Sequence, residues 1–264
     1  VCYDFVIIDQ RWENFDLRKE QIIKICDRKF IGCDQLIYIK KNQNTDASLE
    51  FYNSDGSQSG ACGNGTRCVA YFISKEKNRE QIVFKTQSGI LKSKILGNKM
   101  VETNIGVPKF GWKEIPLNKE TNTANLGITI SGRDGINLTG GYALSVGNPH
   151  LIFFVNKIEN YDLSKIGPEL EVHPIFPKKC NVTLAEIKNN KLIKVKVWER
   201  GAGMTKACGT AACATAVAAF KKKLVQDIVD IQFELGVITI TIDKNSYIYM
   251  KGKVSEIKEI DIEI

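Results

Sequence analysis

The sequence predicts an α+β fold of two pseudo-symmetric lobes, each a curved, mostly antiparallel sheet wrapped around a central helix. Three observations carry this prediction. A cysteine-bearing turn occurs twice, in "SGACGNGTRCVAYF" (59–72) and "TKACGTAACATAVAAF" (205–220), each time ahead of an apolar segment of helical composition. The flanking sequence matches itself at a nearly constant offset, the mark of an internal repeat. Period-two alternation and β-branched enrichment, clearest in "VITITID" (237–243), indicate strands elsewhere.

The repeat orders the elements. Laying Cys62 on Cys208 lays Asn53 on Glu199 and Gln35 on Asn181. Asn53 and Glu199 end the short apolar runs "LEFYN" and "VKVWE". A one-residue drift lays "TQSGILKSKIL" (86–96) on "FELGVITITID" (233–243), and a drift the other way lays "YDFVII" (3–8) on "NPHLIF" (148–153). Each copy thus reads strand, segment, strand, Cys-Gly turn, helix, strands. The helical segments "TRCVAYFISK" and "AACATAVAAFKKKL" are apolar enough to be buried centrally. The Gly- and Pro-bearing "IGVPKFGW" (105–112) marks a boundary. The expected lobes are residues 1–109, completed by a C-terminal strand over about 253–264, and residues 110–252.

Composition narrows the function. The 264 residues suffice for one large or two smaller domains. No apolar run reaches the roughly 18 residues of a membrane span. The opening "VCYDFVIIDQ" has neither a basic region nor a cleavage site of a secretion signal, so a cytoplasmic setting is expected. The net charge of +7 comes from scattered lysines. Lys221, Lys222 and Lys223 read as a solvated helix end. Nucleic-acid binding would need Arg and aromatic residues on one face, and none is visible. Eight cysteines in this length imply reduced thiols rather than a disulfide scaffold. Their spacings, with His150 and His173 the only histidines, do not suggest a metal site.

The Cys-Gly turns carry the chemistry. Glycine after cysteine permits close backbone approach to a ligand. A helix start offers free N–H groups and a positive dipole end to a carboxylate, and the same field lowers a thiol's pKa. Two such turns suit removal of an α-proton by one thiolate and its return by a thiol on the other face, that is, racemisation or epimerisation. No pyridoxal lysine is required. The carbanion is then stabilised by hydrogen-bond donors and by exclusion of water.

The motifs "GCDQ" (32–35), "FYNSDGS" (51–57), "ACGNGTRC" (61–68), "VGNPH" (146–150), "CNVTLAEI" (180–187), "ERGAG" (199–203) and "ACGT" (207–210) resemble, in order and spacing, those of the diaminopimelate epimerase family. The resemblance covers nearly the whole chain. It implies two pseudo-symmetric lobes with the active site between them, and a cofactor-free isomerase that interconverts LL- and meso-diaminopimelate for lysine and peptidoglycan precursors. It further implies a cytoplasmic homodimer with a small-molecule substrate. Cys62 matches the proton-donor and Cys208 the proton-acceptor cysteine for one direction. Gly63, Asn64, Gly209 and Thr210 match the residues that bind the reacting carboxylate. Gln35, Asn53, Asn148, Asn181, Glu199 and Arg200 match substrate-binding positions, while His150 and Glu199 match residues that tune the thiols. Arg200 suits a distal carboxylate bidentately. His173 reads as structural, and Cys68 and Cys213 as helix packing. Two positions depart from the family: Tyr3 stands where the first strand carries Asn, and Ala211 where Gly often follows Cys-Gly-Thr. Two alternatives remain open. One is a related two-cysteine racemase of another amino acid, proline-racemase-like. The other is a non-catalytic thiol or metal-binding protein.

Overall fold

The computed structural model describes residues 4–13, 15–60, 62–131, 137–255 and 257–262. The chain clusters into two compact units. Of the described residues, those up to Ile105 together with those from Lys251 onward build one unit, and those within Gly106–Met250 build the other.

The first unit contains β1 (Phe5–Gln10), α1 (Lys19–Cys26), β2 (Gln35–Lys40), β3 (Ala47–Asn53), β4 (Gln58–Ser59), α2 (Gly63–Lys77), β5 (Gln81–Thr86), β6 (Gly89–Ile95) and β7 (Met100–Gly106). Its strands lie in the order β1-β2-β3-β5-β6-β7, with β4 beside β3. Helix α2 buries Val69, Ala70 and Ile73 completely against Ile37, Phe51, Ile82, Phe84 and Val101 of the sheet. Full burial of a side chain such as Ile73 contributes about 1.5–3 kcal/mol. Gly65 permits the close approach: a Cβ there would stand 2.6 Å from Ile37 Cδ1 and 3.3 Å from Phe51 Cε1.

The second unit opens with the hairpin β8 (Ile128–Ser131) and β9 (Asn137–Gly140), which forms its own sheet. It continues with β10 (Tyr142–Ser145), β11 (Pro149–Phe154), a 3-10 turn (Ile158–Asn160), α3 (Leu163–Glu171), β12 (Asn181–Asn189), β13 (Leu192–Glu199), β14 (Gly203–Thr205), α4 (Gly209–Lys221), β15 (Ile228–Phe233) and β16 (Gly236–Ile242). The chain leaves this unit along β17 (Ile248–Lys253). Helix α4 is apolar all round, as the alanine-rich sequence predicts, and is buried from Ala211 to Ala219. It ends at Lys221, and Lys222 and Lys223 are exposed as a solvated helix end should be.

The two units repeat one topology, register for register. Strands β1 and β2 are parallel with Phe5 opposite Gln35, as β11 and β12 are with His150 opposite Asn181. Leu36 pairs Tyr52 antiparallel, as Val182 pairs Trp198. Ala47 lies parallel to Phe84, as Ile193 does to Ile231. Gln81 pairs Lys94 as Ile228 pairs Thr241. Each of these pairs is the counterpart that the sequence repeat predicts, so the mostly antiparallel fold with one central helix per unit stands. The segment between the first two strands of each copy holds a short helix, α1 or α3, which the sequence reading leaves undefined. Each has at most nine residues, too few turns for periodicity to declare itself.

Candidate active site

In the first unit, β4 leads into a turn at Cys62, which is the N-cap of α2. Its backbone is extended (φ −139°, ψ 110°), and its Sγ accepts the Gly65 N–H at 3.4 Å. The Cys62 carbonyl accepts from Thr66 N at 2.8 Å and Thr66 Oγ1 at 2.7 Å, which locks the first turn. Gly63 and Asn64 therefore occupy positions where a helix has free N–H donors and positive dipole. Asn64 Oδ1 accepts from Arg67 Nη2 at 2.8 Å. Arg67 is 3% exposed and adds a buried positive charge to this helix start. The guanidinium has room because its neighbour is Gly252, where a Cβ would stand 3.2 Å from Nη2. Sequence reasoning missed Arg67; its only signal is a lone cation in an apolar helical segment.

Gln35 and Asn53 face each other across β2 and β3. Gln35 Nε2 donates to Asn53 Oδ1 at 2.9 Å, and Asn53 Nδ2 to Ser57 Oγ at 3.1 Å. Gln35 is buried, and its Oε1 has no partner among the described residues. A buried carbonyl oxygen without a donor is costly alone and suits a ligand's N–H.

In the second unit Cys208 caps α4 with almost the same backbone (φ −142°, ψ 113°). It is more deeply buried than Cys62. Burial first, then the charge of Glu199 against the thiol, pushes Cys208 well above the ordinary cysteine range. Hydrogen bonds from Thr210 and the Ala211 N–H pull the other way. In this setting Cys208 is a thiol, and Glu199 lies beside it. The Cys208 Sγ lies 3.4 Å from Thr210 Oγ1, which also accepts from Asn148 Nδ2 at 3.4 Å. Asn148 Oδ1 is 2.8 Å from His150 Nε2.

His150, on β11, is fully buried. Its pKa falls to about 3, through burial and then the positive charge of Arg200, so the imidazole is neutral. Since Asn148 Oδ1 can only accept, Nε2 carries the proton and donates. Within its unit His150 reaches Cys208 through Asn148 and Thr210 rather than by direct contact.

Asn181 clips two backbones together: its Nδ2 donates to Pro149 O at 3.0 Å and its Oδ1 accepts from Arg200 N at 3.0 Å. The exposed Arg200 side chain donates from Nη1 to Lys178 O at 3.0 Å. Among the described residues this is its one side-chain hydrogen bond, which leaves most of the fork's donors for a ligand. The structure thus groups Gln35, Asn53, Cys62, Gly63 and Asn64 in one unit. It groups Asn148, His150, Asn181, Glu199, Arg200, Cys208, Gly209 and Thr210 in the other. Tyr3, at the departure from the family's first strand, lies outside the described residues. His173 Nδ1 accepts from Ile175 N at 3.3 Å, a loop-stabilising bond. Cys213 is buried inside α4, and Cys68 packs on the first unit's core. Among the described residues no helix is long and apolar enough to cross a membrane.

The sequence profile of diaminopimelate epimerase matches residues 2–111 and 142–257. The chain is 63% identical over 261 residues to a diaminopimelate epimerase from Pelagibacter ubique, covering 99% of this chain and 95% of that protein. It is 36% identical to the diaminopimelate epimerase of Acidiphilium cryptum, with 98% and 92% covered. Among solved structures it is similar in fold to a PhzF-family phenazine biosynthesis protein from Bacillus anthracis, with TM-score 0.64, 16% identity, and 94% and 90% covered. A probable proline racemase from Agrobacterium radiobacter K84 is equally similar in fold, with TM-score 0.64, 13% identity, and 92% and 80% covered. The repeated strand-turn-helix architecture, the two cysteine caps and these matches lead to one conclusion: the chain belongs to the diaminopimelate epimerase family of amino-acid isomerases.

Proposed function

We propose that the enzyme interconverts LL- and meso-diaminopimelate by two-base proton transfer through Cys62 and Cys208. One observation carries this reading. The two cysteines cap equivalent helices of the repeat with backbone angles that agree within a few degrees. A scaffold needs no thiol at either place; a reaction that works on both faces of one carbon needs a proton carrier at both. One cysteine, as thiolate, takes the α-proton while the other, as thiol, delivers a proton to the opposite face. The first-turn N–H groups at Gly63, Asn64, Gly209 and Thr210 bind the carboxylate of the reacting centre and stabilise the charge that develops on it. Glu199 accepts the Cys208 proton when that thiol must ionise. His150 and Asn148 orient Thr210 against the same sulfur. The orphan Gln35 Oε1 accepts from a substrate ammonium group. Arg200 takes the distal carboxylate with its free donors.

The test is incubation of LL-diaminopimelate in deuterated buffer with wild type, Cys62→Ser and Cys208→Ser. Each serine variant should lose at least about 1,000-fold in epimerisation, since a hydroxyl ionises far less readily than a thiol and so supplies neither the anionic base nor an adequate proton donor. Full epimerisation by either variant would end the two-base reading. Proline offered in parallel separates the proline-racemase-like alternative; lacking a distal charged end, it should not turn over. We further read the enzyme as a cytoplasmic homodimer serving lysine and peptidoglycan precursor synthesis. Light scattering of the purified protein at twice the 29.6 kDa chain mass is the expected result.

A further inference from the structure

Glu171 closes α3 and is 7% exposed, yet three donors from distant parts of the unit converge on its carboxylate. Trp198 Nε1 donates to Oε2 at 2.7 Å, Gly201 N donates to Oε1 at 3.1 Å, and Lys179 Nζ stands 3.4 Å from Oε1. Its backbone carbonyl accepts from Cys180 N at 3.1 Å. These partners flank the two segments that hold Arg200. Trp198 and Gly201 bracket the Glu199-Arg200 turn, and Lys179 follows the carbonyl of Lys178 to which Arg200 Nη1 donates. Both segments adopt left-handed backbone where the clamp grips them, with φ +58° at Lys179 and +77° at Gly201. A lysine there is strained and persists only when its surroundings hold it. Charge-assisted bonds from one buried carboxylate are a strong means of doing so.

We propose that Glu171 is a positioning residue for substrate binding. It ties the Glu199-Arg200 turn to the 178–180 segment, so that the guanidinium is set before the distal carboxylate of diaminopimelate arrives. This rests on the reading of Arg200 given above. Preorganisation of this kind affects ground state and transition state alike, so it governs KM and leaves kcat nearly untouched.

The experiment measures KM and kcat for LL-diaminopimelate in wild type, Glu171→Gln, Arg200→Ala and the double variant, with melting temperatures alongside. Glu171→Gln should raise KM about tenfold with kcat within about threefold, the scale of losing one hydrogen-bonding charge. In the Arg200→Ala background the same change should shift KM by less than about twofold, because the group it positions is gone. An unchanged KM in Glu171→Gln, or the full factor persisting without Arg200, overturns the proposal. A purely structural role would lower the melting temperature and the active fraction but leave KM where it was. An unchanged KM in Arg200→Ala would instead refute the binding role of Arg200, a separate failure. Should Glu171→Gln not fold, Lys179→Met gives the same reading, since that side chain is 54% exposed. A KM rise of about threefold supports the proposal and no rise overturns it.

Discussion

Neutral His150 should make the protein sensitive to acid in a measurable way. Its folded pKa of about 3 lies below its ordinary 6.5 because charging it would bury a cation beside the positive Arg200. The unfolded chain therefore binds the proton more readily than the folded one. The resulting stability is complete above about pH 6.5 and is lost as pH falls towards 3. Within that window each pH unit removes about 1.4 kcal/mol. Lowering pH from about 7.5 to about 4.5 should thus take away about 3 kcal/mol through this one side chain. Because 4.5 stays above the folded value, the loss depends little on how far below it that value lies. His150→Gln isolates the effect, as glutamine can still donate to Asn148 Oδ1 but does not titrate, and all carboxylates are common to both proteins. Urea unfolding at several pH values gives the stability difference between wild type and variant. It should fall by about 3 kcal/mol over this range. A difference that stays constant within about 0.5 kcal/mol would refute the buried neutral imidazole, and one that grows would mean that the fold prefers the cation.

The remaining predictions concern the packing and polarity around the second cysteine. A Cβ on Gly167 would lie 2.6 Å from Trp198 Cδ2, and the indole is tethered through its N–H to Glu171. Gly167→Ala should therefore cost about 1–3 kcal/mol and lower the melting temperature by several degrees, and an unchanged melting point would refute this tight contact. Thr210→Val removes a hydrogen bond that holds the Cys208 thiol down, so its pKa should rise further. Alkylation of Cys208 by iodoacetamide at fixed pH, followed by peptide mass, should slow; acceleration would show that the hydroxyl stabilises the thiol instead.

The sequence by itself determined the repeat, and through it most of the architecture. Two copies of one backbone need like residues wherever the backbone has few choices, as at the strand-to-helix turns of Cys62-Gly63 and Cys208-Gly209. Alternation in "VITITID" and the all-apolar α4 show which faces are buried without reference to any partner. Cys62, Cys208, Gln35, Asn53, Asn148, Glu199 and Arg200 stand out in the sequence as candidates because the family's motifs surround them. Short helices α1 and α3 were not, having too few turns to show a period. Tertiary structure alone decided the electrical state of the site. Cys208 is pushed up and His150 pushed down by burial and by Glu199 and Arg200, charges that other elements bring to them. The same holds for Glu171 and Arg67. Each reads in sequence as an ordinary charge on a helix, and becomes a clamp or a buried cation only when Trp198, Gly201 or Gly252 is folded against it. Local pattern records which residues face inward, whereas desolvation and Coulomb interaction depend on distances between residues far apart in the chain, and only the folded structure sets those.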